Sequence, residues 1–266
     1  MNTFTLTRDG PVAEVRLTGT ATGNAMGADF WTELPDLVAA LDADDSVRSV
    51  ILRGEGDLFS VGLDLRWYLV HYRRLMRSGD TTRTRRRLLA EAEAMQSAIT
   101  SVARSRLPFI AAVHGACIGA GLDLTSACDI RVASLDAYFS LREVRIGVVA
   151  DLGSLQRLPA LIGAGPTREL ALTGRDMTAR EAYRRGLVTQ LAPSAPQLWS
   201  GAASLAHELA AYEPHVIAGI KTVLDRGPDL NYVAVWNAAF LPSEELPGRL
   251  AAAIQQTAGL QPAELS

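Results

Sequence analysis

Residues 108–157 read PFIAAVHGACIGAGLDLTSACDIRVASLDAYFSLREVRIGVVADLGSLQR, and their pattern decides the fold. Phe109 to Val113 is a short continuous apolar run, the pattern of a buried strand. Gly115, Gly119 and Gly121 then turn the chain into an apolar helix, and Ile130 to Ala133 gives a further strand. Strand, helix and strand in succession imply βαβ units and a mainly parallel sheet. Three acids stand in this apolar setting: Asp123, Glu143 and Asp151. A carboxylate among Leu, Val, Ile and Ala costs several kcal/mol to bury without a partner. Arg131, Arg142, Arg145 or Arg157 would account for one such acid as an ion pair. Three of them beside a glycine-rich helix start point to a catalytic site.

Working outward, Phe4–Thr7 and Val12–Leu17 flank Arg8-Asp9-Gly10-Pro11 as a hairpin that opens the sheet. A helix from about Asp29 to Leu41 carries Trp31, Leu34, Leu37, Val38 and Leu41 at helical spacing, with Pro35 early in it. Ser46 to Arg53 reads as a second buried strand. Residues 54–65, GEGDLFSVGLDL, form a loop whose glycines leave backbone N–H groups free to approach a ligand. Tyr72 to Arg87 is arginine-rich without a clear apolar period, and Thr82–Arg87 reads as a solvated helix face rather than a phosphate site. Leu88 to Val102 returns to a helical pattern. Downstream, Gly165-Pro166 starts a short helix, and Thr178 caps another with Glu181 completing a capping box. Gly186 ends that helix and Leu187–Leu191 is a last short strand. Pro193–Pro196 marks a boundary, giving a core over 1–195 and a helical region over 196–266. Tyr232, Val235, Trp236 and Phe240 make one side of its tail apolar, a face that packs on its own core or on a neighbouring subunit.

At 266 residues the chain fits one large domain or one domain with a helical appendage. A net charge of −3 gives no broad basic field, which argues against nucleic acid as a partner. No apolar run reaches about 18 residues, so no membrane span is expected. The opening MNTFTLTRDG lacks the basic and apolar regions of a secretory signal, and the closing Glu-Leu-Ser is no peroxisomal address. Cys117 and Cys128 match no zinc spacing and read as small, reduced core residues, so a cytoplasmic setting is expected. With no His or Cys cluster, a catalytic metal is not expected.

The glycines at 119 and 121 are not a dinucleotide fingerprint, because Leu124 stands where the third glycine belongs, and no Walker lysine follows. They serve another purpose. Gly119, Ala120 and Gly121 let a substrate oxygen come close to a helix N-terminus, where N–H groups are unpaired. A second donor from Leu63 would complete an oxyanion hole. Ser60, Ser126 and Ser154 lie in no nucleophile elbow, and His114 reads as a core or turn histidine. An oxyanion hole with carboxylates and no nucleophile suggests proton transfer beside a carbonyl.

At this point FSVGLDL (59–65), AAVHGACIGAGLDLTSACDIR (111–131) and GSLQRLP (153–159) resemble the crotonase, or enoyl-CoA hydratase/isomerase, superfamily over nearly the full chain. Within it the chain most resembles the Δ3,5-Δ2,4-dienoyl-CoA isomerases, whose three acids match Asp123, Glu143 and Asp151; LNYVAVWNAAF (230–240) is similar too. The resemblance implies an α/β spiral of ββα units with a C-terminal helical trimerisation region, assembled as a homotrimer or a hexamer of two trimers. It implies an acyl-CoA thioester substrate, with coenzyme A as part of that substrate, no separate cofactor and no metal. Glu143 would be the base at C2, Asp151 the acid at C6, and Asp123 would orient Glu143 and help set its pKa. Leu63 and Ala120 would give the thioester oxygen its two N–H donors, and Val61, Gly62, Asp64 and Gly119 would bind substrate around them. Ala120 departs from the usual middle glycine and Val61 from a common alanine, changes that bear on acyl specificity rather than reaction type. The alternatives are an enoyl-CoA hydratase, which shares the first two acid positions but usually has glycine at the third, and a non-catalytic CoA-thioester binder.

Overall fold

The computed structural model describes residues 2–19, 23–76, 81–226, 230–240, 246 and 248–250. The hairpin forms as expected: β1 (Phe4–Asp9) and β2 (Val12–Leu17) pair antiparallel, Phe4 opposite Leu17. The chain then coils in repeated turns. Each turn lays a long strand in one sheet, then a short extended segment in a second layer, then a helix. After β2 comes α1 (Ala28–Ala43); after β3 (Ser49–Gly54) come α2 (Leu65–Met76) and α3 (Thr81–Arg104). The third turn is β4 (Phe109–Val113), β5 (Ala116–Ile118) and α4 (Ala120–Ala127). The fourth is β6 (Ile130–Ser134), β7 (Tyr138–Ser140), a 3-10 turn over Glu143–Ile146 and α5 (Ser154–Ile162). The core closes with α6 (Ala164–Thr173), β8 (Asp176–Thr178), α7 (Ala179–Arg185), β9 (Gln190–Ala192) and α8 (Ala195–Ala210).

The long strands form a six-stranded sheet in the order β1-β2-β3-β4-β6-β9, parallel throughout beyond the opening hairpin. The short layer is β5-β7-β8, and the bridges Ser60–Cys117 and Met26–Leu63 carry it back to the earlier turns. This is the α/β spiral of ββα turns. Period-two alternation explains how the long sheet is covered on both faces. Phe109, Ala111 and Val113 of β4 join Leu34, Leu37 and Val102 in the main core. Ile110 and Ala112 face the other way, with Ile51 and Val132, onto α8. That helix answers with Leu198, Ala202, Ala206 and Ala210, one residue per turn, and Ser49 Oγ donates to Ala206 O at 2.9 Å.

The short strands β5, β7 and β8 went unpredicted. Three residues are too few to show a period. The strand expected at 187–191 begins instead at Gln190, because Leu187 and Val188 fill the core just past the Gly186 helix stop. That stop forms as read, with Gly186 at φ +85°, and so does half of the capping box: Thr178 Oγ1 accepts from Glu181 N–H at 3.3 Å, but the Glu181 carboxylate accepts from Arg175 and Arg185 instead of reaching back to Thr178. Pro35 lies past the first turn of α1, where the helix forgoes a bond to Trp31 O, and Leu34 and Leu37 beside it are buried.

The arginine-rich stretch is helical on both sides of residues 77–80, which lie outside the described residues. The first turns of α3 are polar nearly all round, so they show no apolar period. Thr82, Arg83 and Arg85 to Arg87 are exposed as expected, but Thr84 between them is buried. Contacts divide the chain into Met1–Pro214 and His215–Ser266, so α8 belongs with the sheet; the proline-marked boundary at 195/196 falls in its first turn. The second unit holds nearly all of α9 (Pro214–Arg226) and α10 (Leu230–Phe240). A side chain on Gly219 would lie 2.2 Å from the Trp236 ring, so the glycine lets these two helices meet closely. The Phe240 side chain and residues 251–266 lie outside the described residues.

Candidate active site

The two loops expected to form an oxyanion hole touch backbone to backbone. Gly62 has φ +86°, and a Cβ there would lie 2.5 Å from Ile118 O and 3.0 Å from Ala120 N. Glycine is therefore required both for the turn and for the approach. The amides around the two donors are all engaged. Gly62 N–H donates to Ser60 Oγ, Asp64 N–H to Met26 O and Gly119 N–H to Ser140 O. Among the described residues, Leu63 N–H and Ala120 N–H donate to no partner. Ala120 is the first residue of α4, where the helix leaves its N–H unpaired. Leu63 and Ala120 both line a cavity of about 420 Å³.

The acids divide into two that line that cavity and one behind it. Glu143 and Asp151 line it; Asp123 is 1% exposed and does not. Glu143 leans over the start of α4, its Oε1 3.0 Å from where a Cβ on Gly119 would stand, so this glycine makes room for the acid. Glu143 Oε2 is shut from solvent with no partner among the described residues. Burial pushes its carboxyl up to about 7, and the charges of Asp123 and Asp151 add to the shift. Burial raises the Asp151 carboxyl as well. Gln96 of α3 pins the Asp151 main chain, its Nε2 donating to Asp151 O at 2.7 Å.

Asp123 sits on the buried helix α4 and accepts the N–H of Ser154, first residue of α5, at 2.6 Å. Gly153, at φ +118°, makes the turn that aims this amide. Burial raises Asp123 to about 6, while the Ser154 bond and Arg157 pull it down. Asp123 acts on Glu143 through its charge; the hydrogen bond it makes goes to α5.

The residues expected to touch substrate are sorted by the same geometry. Val61 and Gly119 line the cavity. Gly62 sets the approach of the two loops. Asp64 has a different task from the one expected: its Oδ1 accepts the N–H groups of Arg66 and Trp67 at 3.0 and 3.1 Å, so it caps α2 and does not line the cavity. An acid just before a helix was the signal for this. Sequence reasoning missed Tyr68 of α2 and Leu88, Glu91, Ala92 and Met95 of α3, which form one wall. It also missed Ile146, Val148 and Leu152 opposite; no local motif marks them. Arg142 and Arg145 line the cavity too; Arg142 is paired with Asp176, and Arg145 donates to Gly174 O. His114 is 2% exposed with Nε2 2.9 Å from Gly56 O, the structural histidine expected, and Cys117 and Cys128 are buried and form no disulfide. Among the described residues no group of three His, Cys, Asp or Glu is placed to hold a metal, and no helix is long and apolar enough to cross a membrane.

Residues 7–239 match the sequence model of the family described as Enoyl-CoA hydratase/isomerase. A protein of Arabidopsis thaliana named peroxisomal Δ(3,5)-Δ(2,4)-dienoyl-CoA isomerase is 41% identical over 229 residues, 84% of this chain and 82% of that one. A mitochondrial protein of the same name from Homo sapiens is 36% identical over 242 residues, 88% of this chain and 74% of that one. Among solved structures, an enoyl-CoA hydratase from Bacillus anthracis superposes with a TM-score of 0.82 at 25% identity, covering 96% of each chain.

Proposed function

The chain belongs to the enoyl-CoA hydratase/isomerase family, and from that premise we propose that it moves the double bonds of a 3,5-dienoyl-CoA to the 2,4 positions. Glu143, as carboxylate, takes a proton from C2. Negative charge then develops on the thioester oxygen, where the Leu63 and Ala120 N–H groups receive it. Such a preorganised donor contributes about 10²–10³ in rate. Asp151, as carboxylic acid, returns a proton to C6, and the conjugation shifts along the chain. Asp123 keeps the proton affinity of Glu143 high by charge and ties α4 to α5. The reaction needs no cofactor beyond the coenzyme A that the substrate carries.

The observation that carries this reading is the meeting of two acids and two undonated amides in one cavity. A hydratase would use Glu143 on water and has no need of Asp151. The test is an assay of the purified protein on a 3,5-dienoyl-CoA and a 2-enoyl-CoA side by side. Absorbance of the conjugated product should rise with the dienoyl substrate; hydration of the enoyl substrate alone would favour the hydratase.

A homotrimer, or a hexamer of two trimers, is also part of the proposal. Its support is the exposed stripe Val216, Ile220 and Leu224 on α9, four residues apart. We place the protein in the cytosol because its two buried cysteines form no disulfide, although the relatives above carry peroxisomal and mitochondrial names.

A further inference from the structure

The cavity holds a carboxylate that the proposed reaction does not use. On α3, Leu88, Glu91, Ala92 and Met95 line it, a spacing that defines one helical face. Three of the four are apolar and Glu91 interrupts them. His71 reaches Glu91 from α2, its Nε2 2.9 Å from Glu91 Oε2. The His71 ring is steadied by stacking on Trp67, with centroids 5.5 Å apart and planes at 20°. Oε2 is thus committed, and no described residue bonds Oε1. Tyr68, one turn before His71, lines the same cavity. Burial raises its hydroxyl pKa, and the charges of Glu91 and Asp151 raise it further, so the hydroxyl stands in the field of both acids.

Two helices measure where Glu91 lies. On α2, His71 is six residues past Leu65, roughly 9 Å along the axis from the end that carries the Leu63 donor. On α3, Glu91 is five residues before Gln96, which meets the Asp151 main chain, hence roughly 7.5 Å along the axis from that level. The α2 helix leads away from the Leu63 donor and α3 returns beside it, tied by His71 and Glu91, so Glu91 stands farther from that donor than Gln96 and the Asp151 main chain it holds. There the proposed substrate needs nothing but saturated carbon. A carboxylate oxygen laid against an alkyl tail loses water and gains no donor.

We infer that the acyl group this cavity is built for carries a hydrogen-bond donor, a hydroxyl, several carbons beyond the reacting diene. Glu91 Oε1 and the Tyr68 hydroxyl receive it, and His71 holds Glu91 in place. The inference rests on the isomerase reading for the position of the diene.

The test compares 3,5-dodecadienoyl-CoA with its 10-hydroxy analogue, by kcat/KM and by calorimetric Kd. The wild-type protein should favour the hydroxylated thioester about tenfold, the scale of one hydrogen bond to a partly exposed charge. Glu91→Leu should remove that preference, while Glu91→Gln, which keeps an acceptor of the same size, should retain part of it. Equal values for the two thioesters in the wild-type protein would overturn the inference, as would a preference unchanged in Glu91→Leu. If neither thioester is isomerised but the hydroxylated one binds about tenfold tighter, the isomerase reading fails and the Glu91 site stands; equal affinities would end the Glu91 site.

Discussion

The two ends of the cavity are made in different ways. At the thioester end the working groups are main-chain amides, fixed by Gly62 and Gly119 at positive φ and by the second-layer bridges Met26–Leu63 and Ser60–Cys117. At the acyl end they are side chains, carried by α2, α3 and the 143–152 segment, where Leu65, Leu69, Ile146 and Val148 stand exposed. The first end has no rotamer freedom, and its geometry cannot adapt. The second can change residue by residue while the backbone stays as it is. On the function proposed above, activation of the thioester is then a property of the fold, and the choice of acyl group a property of the helix surfaces.

At the thioester end the largest break should come from Gly62→Ala. The added Cβ would meet Ile118 O at 2.5 Å in a backbone conformation that alanine resists, forcing the Leu63 and Ala120 amides apart. We expect kcat to fall about 10²–10³-fold with a smaller change in KM, for every thioester alike. A change confined to KM would show that the amides bind rather than activate.

Next is the acid that bridges the two ends. Glu143 must be ionised to act as base, and burial holds its carboxyl at about 7. Because Asp151 must at the same time hold its proton, kcat/KM should follow a bell-shaped pH profile, rising about tenfold per pH unit on the acidic limb and falling again on the alkaline one. Stability should run opposite to the acidic limb. Between the ordinary 4.5 and about 7 the folded chain keeps a proton that the unfolded chain has released, so stability falls as pH rises through that window. Glu143→Gln should gain about 1 kcal/mol at pH 8 after allowance for partial exposure, or about 2–4 °C in Tm, and nothing near pH 4. An unchanged Tm at pH 8 would mean that the Glu143 charge is well solvated.

The smallest effect expected is at the joint between the two ends. Asp64→Ala removes the cap of α2 and should cost about 1 kcal/mol of stability, with KM rising more than kcat falls. Denaturant unfolding and steady-state kinetics would check both; lost turnover at unchanged stability would instead make Asp64 a substrate contact.

The same division governs what could be read from the chain. The strands Phe109–Val113 and Ile130–Ser134 showed themselves by unbroken apolar runs, and the amide donors by the glycines beside them. The α3 wall did not, because Leu88, Glu91 and Met95 lie on a helix whose first turns are charged on nearly every face. Asp123 was legible as a buried acid, but not as one facing Ser154 behind the cavity, since a helix buried all round gives no sign of which neighbour a side chain meets. Three-residue strands, and the loop Val148–Leu152 that brings Asp151 to the cavity, lie below the length at which periodicity says anything.

Asp151→Asn, assayed on a 3,5-dienoyl-CoA and a 2-enoyl-CoA in parallel with the wild-type protein, tests the division of proton transfer most directly. Isomerisation should drop by about 10²–10⁴-fold while the variant stays folded and any enoyl hydration is spared. Isomerisation within a fewfold of wild type would contradict the role given to Asp151 and leave Glu143 to move both protons.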